Sequence, residues 1–264
     1  MKKEQFEDLL AGDLAWRKME ISQLFRILQD VESKDVVSKS MVLLLYAHWE
    51  GFIKKSSKYY LKYISEKKVK IKDLTINFKA IVLKNYAKEC IDNDGLNLAK
   101  ELSFINKQDK MEEKKFKLNI DVENDLDEDI INTKHNLNSK VLKNISEIIG
   151  IKYNTAMASR SNYIDAMLLN NRNSIGHAGK IVNMGEEDNI LEFSKVSELK
   201  DFVLIMLDYY AEVLQDYVAN EFYLLQKQEE CQQYEQQKEE KLNSKLKAIE
   251  NVLTHNSGNL HMEG

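Results

Sequence analysis

One segment of the sequence concentrates side chains suited to acid–base and phosphate chemistry: Asn170-Asn171-Arg172-Asn173-Ser174-Ile175-Gly176-His177-Ala178-Gly179. A histidine titrates near neutral pH, so it is able to take or give a proton during a reaction. An arginine presents a planar fork of donors to a phosphate and to the charge that develops on it. The chain holds 34 lysines and only four arginines, so an arginine here indicates a need for its geometry. The pair suits cleavage of a phosphodiester.

The surrounding pattern is typical of a helix whose apolar stripe is interrupted by polar residues. The stripe consists of Ile164, Met167, Leu168 and Ile175. Asn171 lies in the middle of this stripe and Arg172 at its edge, and polar groups that face a core must be paired. On a continuous helix, Arg172 and His177 would be separated by about 140°. We therefore expect a break at Gly176 that turns the histidine back toward the guanidinium.

The spacing alone leaves two interpretations open. A capping histidine and a buried arginine paired with a core acid would give the same spacing as a catalytic pair. The chain is then either an enzyme or a non-catalytic helical dimer that binds RNA or a partner protein. Loss of RNA cleavage on replacement of His177, with the fold intact, would distinguish the two.

The composition predicts a mostly helical, soluble, cytoplasmic protein. The 264 residues include no proline and only nine glycines, although these residues punctuate all-β folds and long loops. The net charge of −5 excludes a global polycation, and the longest apolar run, Met41–Ala47, is far short of a membrane span. Two cysteines cannot form a disulfide framework or a four-cysteine zinc site, and no histidine pair has zinc-ligand spacing. We predict neither a metal nor a cofactor.

The apolar periodicity predicts one helical domain over residues 1–225 and a polar helical extension with a frayed tail over 226–264. Helices are expected at about 3–32, 35–66, 72–91, 96–106, 141–149, 155–175 and 194–225. The stretch 119–138 carries six acids and one lysine, which indicates a solvated insertion or loop.

The second predicted helix holds further candidates. Its stretch Met41–Ile53 is apolar on adjoining faces, which suggests the seam of a homodimer. His48 is either a core histidine or a residue supporting the catalytic pair. Glu50 would orient Arg172 or His177, or instead pair with a core lysine or tyrosine. Three lysines at four-residue steps form either a solvated face or an RNA-binding rim: Lys54, Lys58 and Lys62.

Two motifs carry a resemblance to a known family. The run Arg172-Asn173-Ser174-Ile175-Gly176-His177 resembles the R-N-x-x-x-H signature of the HEPN superfamily, helical ribonucleases of prokaryotic defence and toxin systems. The run Leu45-Tyr46-Ala47-His48-Trp49-Glu50-Gly51-Phe52-Ile53-Lys54, followed by Tyr59-Tyr60-Leu61, is similar to the first conserved region of the MAE_28990/MAE_18760-like HEPN branch. The resemblance covers about residues 35–215.

The resemblance implies an all-α HEPN-like bundle and a metal-independent endoribonuclease of a toxin–antitoxin or antiphage system. Arg172 and His177 would be catalytic, and Asn173 would support them. From the residue pattern rather than the resemblance, Glu50, His48 and Asn171 are further candidates to support this pair. Such enzymes usually dimerise, which places two Arg–His pairs in one cleft, and they are often accompanied by an antitoxin or defence partner. Gly179 stands where some HEPN toxins carry a modifiable tyrosine, so silencing at that position is not expected.

Overall fold

The described part of the chain is almost entirely helical. In the computed structural model, the described residues are 1–31, 34–91, 99–124, 130–176 and 193–259; the side chains of residues 85, 86, 88–91, 109 and 251–259 are not described. The helices are α1 (Lys3–Asp30), α2 (Lys34–Lys67), α3 (Ile76–Ile91), α4 (Ala99–Met111), α5 (Ser139–Ile149), α6 (Thr155–Ala158), α7 (Ser161–Tyr163), α8 (Asn171–Gly176), α9 (Phe193–Ala219) and α10 (Gln228–Asn259). Two isolated β-bridges, Lys70 with Lys115 and Leu74 with Leu224, are the extended pairings within these ranges. The all-α prediction is confirmed.

The core is built around α2, which packs against both α1 and α9. The apolar residues of Met41–Ile53 that drew attention in the sequence are mostly buried within the single chain, with Trp49 and Phe52 fully covered. The bundle itself therefore accounts for most of this apolar surface, and the stretch no longer argues for a dimer seam. None of the described helices is both long enough and apolar enough to cross a membrane.

The helix expected over 155–175 is interrupted, which corrects the sequence prediction. The chain bends at Arg160, where the backbone departs from helical geometry. The Arg160 guanidinium donates to Glu250 at 2.9 Å and to the carbonyl of Ala156 at 2.9 Å. A π-helical segment, Ile164–Asn170, follows and leads directly into α8. Such i→i+5 turns are rare and shift the direction of the residues beyond them.

The polar C-terminal helix is also different from the prediction. The chain turns after Ala219 rather than continuing to residue 225, and α10 runs back along α9. Leu242 and Leu246 are buried, while Lys238 bonds to Glu212 at 3.1 Å across the two helices. One side of this helix is thus part of the bundle and the other is solvated. The tail predicted to be frayed comprises residues 256–264; residues 256–259 belong to α10 instead, and 260–264 lie outside the described residues.

The short helix α5 follows the sequence rules closely. The Asn138 side chain accepts a hydrogen bond from the Val141 N–H at 2.8 Å and so caps the helix start. Gly150 ends it with a φ of 78°, a left-handed conformation that glycine adopts without steric cost. Asp165, in the π-helical segment, accepts two further bonds from Ser139 at 2.7 Å each. These bonds fix the start of α5 against the segment that leads to α8.

Candidate functional site

The short helix α8 holds Arg172 beside the middle of α2. The guanidinium carbon lies 4.9 Å from the centre of the Tyr46 ring, which is a stacked cation–π arrangement. One guanidinium nitrogen donates to Oδ1 of Asn173 at 2.8 Å. The residue is half-buried, so part of it remains accessible to solvent.

Arg172 differs from a structural arginine in its partners. Within the described residues, no carboxylate forms an ion pair with it. Its described contacts are an uncharged ring and an uncharged amide, which position a cation without neutralising it. A guanidinium in this state retains its charge for an anionic ligand.

The loop that precedes α5 fixes Tyr46 at its hydroxyl, whereas Arg172 contacts its ring. Its hydroxyl accepts a hydrogen bond from the Leu137 N–H at 2.8 Å and donates to the His135 carbonyl at 3.3 Å. Burial raises the pKa of the Tyr46 phenol, and the nearby Glu50 carboxylate raises it further, whereas the Leu137 N–H and Arg172 act in the lowering direction. The phenol is therefore a neutral platform that joins the loop, α2 and α8.

The described part of the acidic insertion packs on the bundle, contrary to the solvated loop expected from its composition. Ile131 and Leu137 are buried. Lys134 and His135 have φ values of 50° and 60°, and the Asn132 side chain accepts a bond from the Lys134 N–H at 2.7 Å. This tight turn brings the His135 carbonyl to Tyr46 while its side chain is exposed.

The predicted site residues fall into two groups around α2. Glu50, Asn171, Arg172 and Asn173 belong to the group around Tyr46. Asn171 is buried, with its amide donating to the Met167 carbonyl at 3.0 Å, so it secures the turn that carries Arg172. His177 and Gly179 lie outside the described residues.

His48 belongs to the second group, between α1 and α2, rather than to the Arg172 site. Its Nδ1 lies 3.5 Å from the Arg17 guanidinium, and its ring meets the Trp16 ring edge-on at 5.1 Å. Its Nε2 lies 3.1 Å from a Glu20 oxygen, but the direction does not satisfy a hydrogen bond. Burial lowers the His48 pKa, and the Arg17 charge adds to this, whereas Glu20 opposes it.

Arg17 is an example of a neutralised arginine. It is buried and bonded by two nitrogens to Asp13, at 2.8 and 3.3 Å. A Cβ placed on Gly51 would lie only 2.7 Å from its terminal nitrogen. The glycine in α2 therefore leaves the space that this guanidinium occupies.

The three candidate RNA-binding lysines have different environments, and one prediction requires correction. Lys58 is only 2 % exposed and its ammonium donates to the Asn124 carbonyl at 2.9 Å, so it is not on an exposed rim. Lys62 is exposed and Lys54 is half-buried one turn beyond Glu50. Of the three candidate lysines, Lys54 and Lys62 thus remain as candidates for a positive rim.

Sequence reasoning overlooked Tyr46 as the residue on which Arg172 rests. Tyr46 and Glu50 are four residues apart, a spacing that places both on one helix face, and this was a signal available in the sequence. The contact between Tyr46 and the 135–137 backbone had no local signal, because it joins segments about 90 residues apart. No cluster of three or more His, Cys, Asp or Glu side chains suited to a metal ion occurs among the described residues, so no ligand set is assigned.

A family model described as MAE_28990-like HEPN matches residues 6–223, which is most of the chain. No curated protein and no solved structure is detectably similar to this chain. HEPN domains are often ribonucleases of defence or toxin systems, and they commonly dimerise. The match covers both α2, with Tyr46 and Glu50, and α8, with Arg172. The all-α bundle that positions these residues is that of the family, and the chain belongs to the MAE_28990-like HEPN family.

Proposed function

We propose that this protein is a metal-independent endoribonuclease of a prokaryotic toxin–antitoxin or antiphage defence system. The observation that carries the proposal is the state of Arg172. It is half-buried, held by an aromatic ring and an amide, and without a carboxylate partner among the described residues. It also stands five residues before a histidine in an R-N-x-x-x-H sequence.

The proposed reaction is attack of a ribose 2′-hydroxyl on the adjacent phosphodiester. His177 accepts the 2′-hydroxyl proton as the new P–O2′ bond forms. The P–O5′ bond breaks, and the leaving oxygen takes up a proton from a second acid group or from water. The products are a 2′,3′-cyclic phosphate and a 5′-hydroxyl, and no electron transfer is involved.

Arg172 stabilises the negative charge that develops on the oxygens of the pentacoordinate phosphorus. A guanidinium fixed before the reaction stabilises the two developing negative oxygens without having to reorient. Asn173 accepts a hydrogen bond from one guanidinium nitrogen, and the Tyr46 ring lies under the guanidinium. Glu50 acts through Tyr46 as a positioning residue, since its carboxylate interacts with that phenol.

We further propose that the working unit is a homodimer in which two Arg172–His177 pairs share one cleft. Association of two copies about a twofold axis would supply a second histidine to the same phosphate. That histidine is a suitable donor of the proton taken up by the leaving oxygen. A neutralising antitoxin or defence partner would act by covering this cleft.

The test compares purified wild-type protein with His177→Ala on an end-labelled RNA. We expect the variant to lose cleavage at least ~100-fold while its urea unfolding curve is retained. Wild-type cleavage should persist in excess EDTA, yield 2′,3′-cyclic ends, and stop at positions carrying 2′-O-methyl ribose. Cleavage of 2′-O-methyl RNA would reject the mechanism, and a requirement for added magnesium or manganese would reject its metal independence. Wild-type-like cleavage by His177→Ala would favour a non-catalytic role for the motif.

A further inference from the structure

Helix α1 exposes a row of large apolar side chains along one face. The row consists of Leu9, Trp16, Met19 and Ile27, each more than two-fifths exposed. Gly12 and Gln23 complete it, so that its members recur at steps of three and four residues. This is the spacing of a helix face that pairs with another helix. Within the described chain, nothing covers this face.

Trp16 is held in a fixed position although it is 41 % exposed. Its indole N–H donates to Asp13 Oδ1 at 3.2 Å, and the Arg17 guanidinium lies 4.6 Å from its ring centre. The His48 ring packs against its edge. An aromatic side chain that is already ordered loses little entropy on binding, and such residues dominate the energetics of interfaces.

The sequence of this face is complementary to itself in an antiparallel arrangement. Leu9 and Ile27 are 18 residues apart, as are Asp8 and Arg26, and 18 residues make five helical turns. Each pair therefore lies on one line along α1, with the charged pair on the flank of the apolar row. A twofold axis perpendicular to α1 near residues 17 and 18 exchanges the two ends of each line.

We infer that a second copy of this chain covers the α1 face, with the two α1 helices packed antiparallel. Leu9 of each chain contacts Ile27 of the other, and Trp16 contacts Met19. Gly12 faces Gln23, which suits the open space found around Gly12, where an added Cβ would meet no atom within 4 Å. Helix α1 packs against α2 and α9, whereas Arg172 lies on α8 beside the Tyr46 side of α2, so this seam is separate from the shared Arg172–His177 cleft and goes beyond the proposed function.

Charge complementarity supports a second copy over an unrelated partner. Asp8 and Arg26 are both exposed, and neither forms an ion pair within the described chain. In the antiparallel arrangement each Asp8 meets Arg26 of the other chain, which gives two ion pairs from one symmetric contact. In a parallel arrangement the twofold axis runs along the helices and places the two Asp8 residues on opposite flanks, 18 residues from either Arg26 along the axis, so neither ion pair forms.

The length of the seam sets the expected affinity. Residues 8–27 span about 30 Å of helix at 1.5 Å per residue. A contact between one pair of helices of this length falls near or below the ~1,200 Å² at the lower limit of stable interfaces. We therefore expect a dissociation constant in the micromolar range, so the dimer should respond to single substitutions.

The experiment measures the oligomeric state of the full chain by sedimentation equilibrium from 1 to 100 µM. We expect the wild type to dimerise and Trp16→Ala to weaken dimerisation at least tenfold. Asp8→Arg and Arg26→Asp should each weaken it, and the double variant should restore it, because the ion pairs are re-formed with exchanged ends. Glu229→Arg, which makes the same change of charge at an exposed position of α10 away from α1, is the matched control and should have no effect.

Two outcomes overturn the inference. One is a wild type that is monomeric at 100 µM, and the other is a dimer that is insensitive to Trp16→Ala or is not restored by the double exchange. RNA cleavage is recorded separately for the same proteins. Dimerisation through α1 without cleavage contradicts only the proposed ribonuclease, whereas full cleavage by a monomeric wild type contradicts the seam and the shared cleft but not the ribonuclease.

Discussion

Replacement of Arg172 by lysine separates charge from geometry at the candidate site. Lysine retains the positive charge but has neither the planar fork nor the flat face that lies on the Tyr46 ring. The bond to Asn173 and the stacking would both be lost or weakened. Since the proposed role of Arg172 depends on preorganised donors, Arg172→Lys should be nearly as inactive as Arg172→Ala.

Arg172→Lys is expected to raise the free-energy barrier of catalysis by more than it lowers the free energy of unfolding. For folding, the loss is at most a partly exposed cation–π contact, about 0.5–1 kcal/mol, and one net hydrogen bond, about 0.5–1.5 kcal/mol. For catalysis, loss of a preorganised donor to an oxyanion costs about 2.7–4 kcal/mol, or 10²- to 10³-fold in rate. A protein with a stability of at least ~5 kcal/mol remains almost fully folded after losing both contributions, about 2.5 kcal/mol at most. Unfolding therefore cannot account for the expected loss of rate.

The assay is single-turnover cleavage of an end-labelled RNA with protein in excess, alongside urea unfolding. His135→Asn is the matched control, because His135 is exposed on the same side and contributes its backbone carbonyl to Tyr46. Asparagine tolerates the positive φ of that position, so this variant should cleave like the wild type. Cleavage by Arg172→Lys within threefold of wild type would refute the reasoning, as would a loss that parallels unfolding.

Three further predictions concern α2. Gly51→Ala should lower the free energy of unfolding by about 1–3 kcal/mol, because its Cβ would collide with Arg17, whereas alanine normally stabilises a helix interior; urea unfolding gives the sign. Burial lowers the His48 pKa, so the unfolded chain binds a proton at higher pH than the folded chain. The free energy of unfolding should therefore fall as pH drops below about 6.5. His48→Gln should reduce the difference between the urea midpoints measured at pH 7.5 and 5.5. Lys62→Glu should weaken RNA binding and reduce its salt slope by about 1, whereas Lys58→Met should leave both unchanged because the Lys58 ammonium is buried; filter binding at several salt concentrations measures this.

The sequence was sufficient for the elements whose signals are local. The boundaries of α1, α2 and α5 differ from the prediction by at most a few residues, because apolar periodicity, Asn138 and Gly150 mark them directly. The bend at Arg160 had no such mark. It depends on Glu250 and Asn243, which are more than 80 residues away and reach Arg160 only after α10 has turned back along α9.

The same distinction applies to the candidate site. The residue types of Arg172 and Asn173 were predictable from a motif, but the platform beneath the guanidinium was not, because Tyr46 reaches it across the bundle. The lysines at four-residue steps suggested one continuous face. The loop residue Asn124 covers Lys58 and divides that face, so an argument from spacing overestimated its exposure.

A comparison of three arginines shows why Arg172 is the candidate for function. Arg17 is bonded to Asp13 in the core and Arg160 to Glu250 on the flank of the bundle, so both charges are neutralised. Arg172 has an equally defined position, but an aromatic ring and an amide provide it. Among the residues that the structure describes, no carboxylate pairs with this half-buried guanidinium, which therefore forgoes the stabilisation that an ion pair would contribute. That arrangement is explained if the missing anion is a substrate phosphate, and it is the physical reason to test Arg172 before any other cation in the chain.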